Sequence, residues 1–178
     1  MRKPLAHLTA TLIAAVVCLA PSSVAAKGTL VRIEVKGSAL SAPVEITDPA
    51  ILGLFSIWTG PGVQVNDQPV HLDPANQSGM FIDWPKGQVD ALPAGLELFE
   101  VGFDLGPWRP AYVVLYGMDR AASGYIYLPD HDDGFGEWNT TSIAHGVEGH
   151  WFHASRAWEQ RVRPLVLARA NEDEQAQH

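Results

Sequence analysis

The chain has 178 residues, 12 Lys and Arg against 20 Asp and Glu, a formal charge of −8 and only one cysteine, Cys18. An acidic chain without clustered Lys and Arg lacks the electrostatic footprint of a protein that binds nucleic acid or an anionic membrane surface. With Cys18 confined to the N-terminal leader described next, the body of the chain has no thiol for a disulfide, a thiolate ligand or a nucleophile.

Residues 1–26 have the pattern of a cleavable signal peptide: Arg2 and Lys3, an apolar run from Leu8 to Ala20, then Val24-Ala25-Ala26 before Lys27. The run is too short for a permanent anchor, so no transmembrane span is expected in the mature protein. Val17 stands where a lipobox wants a small residue, which disfavours lipidation at Cys18. Cleavage near Ala26 would deliver a periplasmic or secreted protein and, by removing Arg2 and Lys3, make it more acidic by two charges. Residues 27–170 read as one globular domain, a length that buries a core without disulfides. Residues 171–178, with Glu172, Asp173 and Glu174, read as a polar, disordered tail.

Apolar and charged residues alternate from Val31 to Lys36, the period of a strand with one wet face, and Val44 and Ile46 repeat it after a turn. Asp48-Pro49 predicts a helix start, with Ile51, Leu52 and Phe55 on one face until Gly60-Pro61-Gly62. Thr59 to Gly95 is loop-rich, with a short strand over Met80–Trp84. Strands are predicted over Leu96–Phe103, Ala111–Tyr116 and Gly124–Leu128, the second apolar enough for the centre of a sheet. A further strand is expected near Trp138, after an acidic hairpin tip. Ser155 can cap a helix bearing Trp158, Val162 and Leu165, which Pro164 kinks or divides. The class is α+β: a mostly antiparallel sheet with a few short helices packed on one face.

The string Ile33 to Gly37, Leu40, Pro43 and Glu45 to Pro49, on to Phe55, Trp58 and Gly60-Pro61-Gly62, resembles uncharacterised exported bacterial proteins. So does Gly146 to Phe152 with Ala157-Trp158. The resemblance implies a bacterial extracytoplasmic setting and carries no activity and no catalytic residues.

Three groups offer chemistry. His145, Glu148, His150 and His153 are side chains that hold zinc, and an open water position would suit hydrolysis, but the spacing is not HExxH and Gly146 and Gly149 disfavour an aligning helix. On an extended chain Glu148 and His150 share one face and His153 takes the other. The loop Asp130 to Glu137 brings Asp132 and Asp133, oxygen donors suited to calcium, yet its glycine and terminal glutamate miss the EF-hand spacing. Tyr125 and Tyr127 share a strand face and, with Tyr112 or Tyr116 across the sheet, would form a platform for a sugar ring or an apolar side chain. Against each stands an ordinary structural role: hydrogen-bonded histidines, a solvated loop, and strand aromatics. The six tryptophans read as core bulk.

No nucleophile elbow or S-x-x-K pair occurs after the signal, and Ser78 has no identifiable base. No cofactor is predicted, with zinc or calcium as the candidate ions. The preferred reading is a non-enzymatic extracytoplasmic binding domain whose partner is an envelope protein or a glycan. The alternative is a metal-dependent hydrolase or metal-binding protein using the histidine cluster.

Overall fold

A computed structural model describes residues 28–60, 64–65, 68–69, 81–106 and 110–176, with only the backbone described at 64–65, 68–69 and 140–142. The expected signal peptide with Cys18, the turn residues Pro61 and Gly62, Ser78 and Met80 lie outside the described residues.

Six antiparallel strands form the main sheet in the order β2-β1-β5-β6-β7-β9. These are β1 (Arg32–Lys36), β2 (Val44–Ile46), β5 (Glu97–Asp104), β6 (Tyr112–Met118), β7 (Tyr125–Leu128) and β9 (His150–His153). A small second sheet joins β3 (Gln64–Val65), β4 (Gln68–Pro69) and β8 (Ile143–Ala144). The helices are α1 (Pro49–Leu52), α2 (Gly136–Ser142), α3 (Arg156–Arg161) and α4 (Arg163–Ala176). The α+β class read from the sequence is the one observed.

Register sorts the side chains onto two faces. Ile33 pairs with Ile46 and with Phe103, which pairs with Tyr112, and Phe99 pairs with Tyr116, Tyr116 with Ile126, and Ile126 with Phe152. All eight are buried and form the inner face. The intervening residues point the other way because successive side chains alternate. On the inner side Trp158 of α3 is completely buried, with its ring centroid 5.3 Å from Phe55, 5.7 Å from Tyr116, 6.2 Å from Phe103 and 6.4 Å from Phe81. Val162, between α3 and α4, and Val166, Ala170 and Asp173 along α4 extend that buried stripe at helical spacing, and α4 packs against β2.

Caps and turns follow local chemistry. Asp48 accepts from the Ala50 N–H at 2.8 Å, and the Ser155 hydroxyl accepts from the Trp158 N–H at 3.1 Å, each satisfying a free donor of a first turn. Glu159 joins α3 to the β6–β7 hairpin by accepting from the Tyr116 hydroxyl at 3.1 Å and the Gly124 N–H at 3.2 Å. Its other oxygen pairs with Arg163 at 2.8 Å, and that guanidinium donates to the carbonyls of Asp119, Arg120 and Ala122. The helix is interrupted at Val162, between α3 and α4, so Pro164 divides it rather than kinking it.

Four expectations are corrected. The helix after Asp48 is a single turn ending at Leu52, because Phe55 and Ile57 are both buried and demand a period of two that a continuing helix cannot supply. Of the expected Met80–Trp84 strand, the described residues 81–84 form one bridge, Ile82 to Ala154, before Trp84-Pro85-Lys86 tightens into a 3-10 turn. The region of Trp138 is α2, not a strand, so the acidic loop is a strand-to-helix connection rather than a hairpin tip. The tail is helical through Ala176: Asp173 accepts from the Ser41 N–H at 2.7 Å and hydroxyl at 2.6 Å, which anchors that end.

The buried Asn139 of α2 explains why a helix forms there. Its Oδ1 accepts from the Val113 N–H at 3.0 Å and its Nδ2 donates to the Val113 carbonyl, replacing a strand partner where β7 no longer reaches β6. Asn139→Ala leaves both backbone groups of Val113 unsatisfied, so urea denaturation is expected to show a loss of about 2–4 kcal/mol. A loss within experimental error would show that the side chain does not complete the sheet.

Candidate functional site

The second face of the sheet carries two kinds of surface. Over β1, β2 and β5 it is charged and internally paired: Arg32 bonds Asp104 at 2.7 Å and Glu45 at 2.8 Å, and Lys36 bonds Glu34 at 2.6 Å. Over β7 and β9 it is aromatic. Tyr125 pairs with His153 and Tyr127 with Trp151 in the ladder, with ring centroids 5.3 Å and 5.1 Å apart. The Tyr127 and Trp151 planes meet at 35°, a tilted pair in contact across the two strands. All four residues are half-buried.

A glycine makes room for this strip. Gly117 of β6 lies opposite Tyr125, and a Cβ there would stand 3.1 Å from the Trp151 ring and 3.1 Å from the Leu96 side chain. The Trp151 indole therefore leans across β7 onto bare backbone. The strip's other border is aliphatic, with Leu115 opposite Tyr127 and Leu98 opposite Gly117, the latter 54% exposed.

Tyr127 is also tied to the acidic loop. Its hydroxyl donates to Asp133 Oδ2 at 2.6 Å, and the Asp130 N–H donates to the same oxygen at 2.8 Å. Burial and this hydrogen bond to a carboxylate push the phenol up to about 12, so it is a neutral donor at physiological pH. The same bond holds the Asp133 carboxyl below the usual carboxylate range.

The sequence pairing of Tyr125 and Tyr127 on one face is observed, but Tyr112 and Tyr116 are not their neighbours. Both lie on the inner face and are completely buried. The ring partners are Trp151 and His153, and Trp151 is not the buried residue its apolar character suggests. Among the other tryptophans with described side chains, Trp158 is fully buried, Trp58 and Trp84 are partly buried against the core, and Trp138 is 50% exposed.

The proposed metal ligands are dispersed. His145 is buried, 2% exposed, with its ring 5.5 Å from Trp84 and 6.1 Å from Tyr112. Glu148 turns its carboxylate back to the N–H groups of His145 and Val147. His150 is exposed, with Nδ1 2.9 Å from the Glu148 carbonyl, and His153 is on the aromatic strip. Asp133 faces Tyr127, whereas the Asp132 side chain is fully exposed beside His131. Among the described residues no three His, Cys, Asp or Glu side chains come together as ligands. The left-handed conformation of Gly146 and Gly149, at φ +72° and +78°, reverses the chain on either side of Glu148 and separates these side chains.

A cleft of about 230 Å³ between residues 28–30, 55–58 and Leu105 has no titratable side chain in its lining. Its chemistry is that of apolar walls and two hydroxyls. The aromatic strip is the better candidate.

Burial pushes the His145 imidazole down to about 4, partly opposed by the Glu148 carboxylate. The unfolded chain then binds more protons between pH 6.5 and 4, so stability is complete above pH 6.5 and falls as pH falls through that window. By pH 4 the loss due to His145 is about 3 kcal/mol. Asp133 and Asp173, both held below the usual carboxylate range, lose their contributions only at lower pH. Urea denaturation at stepped pH checks this: the slope between pH 6.5 and 4 shrinks in His145→Gln, and an unchanged slope contradicts the assignment.

No family model, no curated protein and no solved structure matches the chain.

Proposed function

We propose that the protein is an exported, non-enzymatic binding domain whose ligand lies on Tyr125, Tyr127, Trp151 and His153. The observation that carries this reading is the row of four rings on the side of the sheet away from the core. Inward-facing residues already fill the core around Trp158, which is packed by Phe55, Phe81, Phe103 and Tyr116. The outward rings are not needed for that core. Aromatic faces combine large contact area with few rotatable bonds, which suits recognition at low entropic cost.

The export half of the reading is supported by Arg2, Lys3, the Leu8–Ala20 run and Val24-Ala25-Ala26. Its acidic balance favours a neutral or basic partner over an anionic one.

Nuclear magnetic resonance titration of the labelled protein with fractionated envelope glycans and envelope proteins tests the reading. A saturable ligand is expected to shift the Trp151 indole and the Tyr125–Tyr127 amides, and Trp151→Ser to weaken it by about tenfold or more. Trp138→Ser serves as the control, because that exposed indole lies on α2 outside the strip. A ligand that shifts other surfaces and binds Trp151→Ser unchanged would overturn the proposal.

A further inference from the structure

Independently of any ligand on the strip, we infer that His145 closes an acid-sensitive flap: protonation of its imidazole frees residues 144–148 to swing out while the sheet and its core stay folded. His145 is the one buried residue of that segment; Ala144, Val147 and Glu148 are half-buried and Gly146 is exposed. Its ring packs on Trp84 of the 3-10 turn, 5.5 Å away, and on Tyr112 of β6, 6.1 Å away. Neither ring nitrogen has a hydrogen-bond partner among the described residues, and neither does the Tyr112 hydroxyl.

This enclosure suits a neutral imidazole and not a charged one. Protonation makes both nitrogens donors and adds a charge, yet neither the Trp84 indole nor the Tyr112 phenol, which burial keeps neutral, offers an anion. Among the described residues the titratable groups that face the imidazole are Tyr112 and, from its own segment, Glu148. The Glu148 carboxylate is already occupied, with Oε1 accepting from the His145 N–H and Oε2 from the Val147 N–H at 3.0 Å. Of the other elements nearby, β3 carries no ionisable residue, Lys86 of the 3-10 turn is paired with Asp83 at 3.1 Å, and Glu137 of α2 is exposed.

The segment has fixed ends and a hinge. Ile143 is buried in the core on one side, and on the other the Gly149 N–H donates to the Leu128 carbonyl at 2.8 Å. Gly146 and Gly149, at φ +72° and +78°, supply backbone that other residues rarely adopt. Opening breaks the short pairing of Ala144 with Gln64 and the two Glu148 bonds, whereas global unfolding must also dismantle the packing around Trp158. Outside, a charged His145 meets Glu148 and exposed Asp130, whose Oδ2 lies 3.3 Å from where a Cβ on Gly149 would stand. Burial pushes the closed imidazole down to about 4, so the open form binds the proton more tightly, and acid raises the open-to-closed ratio by up to about 300-fold.

Nuclear magnetic resonance of the purified protein between pH 7.5 and pH 4 tests this, following the histidine rings and the indoles of Trp84 and Trp158. His145 is expected to protonate between about pH 5 and pH 4 as the Trp84 indole moves reversibly to the position of an exposed one, with the Trp158 indole unmoved. His145→Phe keeps a ring against Trp84 and Tyr112 but cannot be charged, and should hold the Trp84 indole in its neutral-pH position down to pH 4. Trp84 and Trp158 changing together would mean global acid unfolding and overturn the inference. A Trp84 indole that never moves, whether or not His145 titrates, would overturn it too, as would an acid shift of Trp84 that persists in His145→Phe. If that variant does not fold, the comparison of Trp84 with Trp158 in the unmodified protein decides alone.

Discussion

Trp158 sits where helix α3, the segment after α1, the Phe81 bridge region and strands β5 and β6 converge. Its burial is complete, and it packs against an aromatic ring from each of the other four parts. A side chain of this size supplies several kcal/mol of apolar burial and permits only one arrangement of its neighbours. With the inner face closed around it, β7 and β9 must send Ile126 and Phe152 inward. Alternation then leaves Tyr125, Tyr127, Trp151 and His153 nowhere to go but the opposite side. The candidate binding strip is thus a consequence of how the core is filled.

Polar side chains fix what apolar packing alone leaves loose. Asn139 substitutes for a missing strand beside Val113, Glu159 fastens α3 to the β6–β7 hairpin, and Asp173 holds the end of α4 to Ser41. Each satisfies backbone or hydroxyl donors that would otherwise be left without a partner in half-dry surroundings. Asp133 performs the same service for Tyr127 and the loop before α2, and in doing so charges the border of the strip. Stability of the loop and chemistry of the surface share one carboxylate.

Much of this was legible where the determinants are local. Asp48-Pro49 and Ser155 announce helix starts, alternation marks β1 and β2, apolar runs bounded by turns mark β5, β6 and β7, and Pro164 marks the division of the last helix. Tyr125 and Tyr127 could be placed on one face by counting alone. Their partners could not, because Trp151 and His153 come from a strand whose position beside β7 is set by long-range pairing. Asn139 bonds a residue 26 positions away and Asp173 one 132 positions away, so neither the helix at Trp138 nor the ordered tail had a local signature. Trp138, Thr140 and Thr141 suit a strand by propensity, and the tertiary bond of Asn139 to Val113 overrides it. The histidine cluster was a cluster in sequence only: two glycines with positive φ and the alternation of β9 disperse it.

The central claim is that register separates sealed aromatics from presented ones, and hydroxyl-radical footprinting with residue-level mass spectrometry reads that separation directly. The account predicts strong labelling of Tyr127 and Trp151 and protection of Tyr112, Tyr116 and Trp158 in the native protein, with all five labelled after unfolding. Protection of Trp151 equal to that of Trp158, or labelling of Tyr116 equal to that of Tyr127, would contradict it.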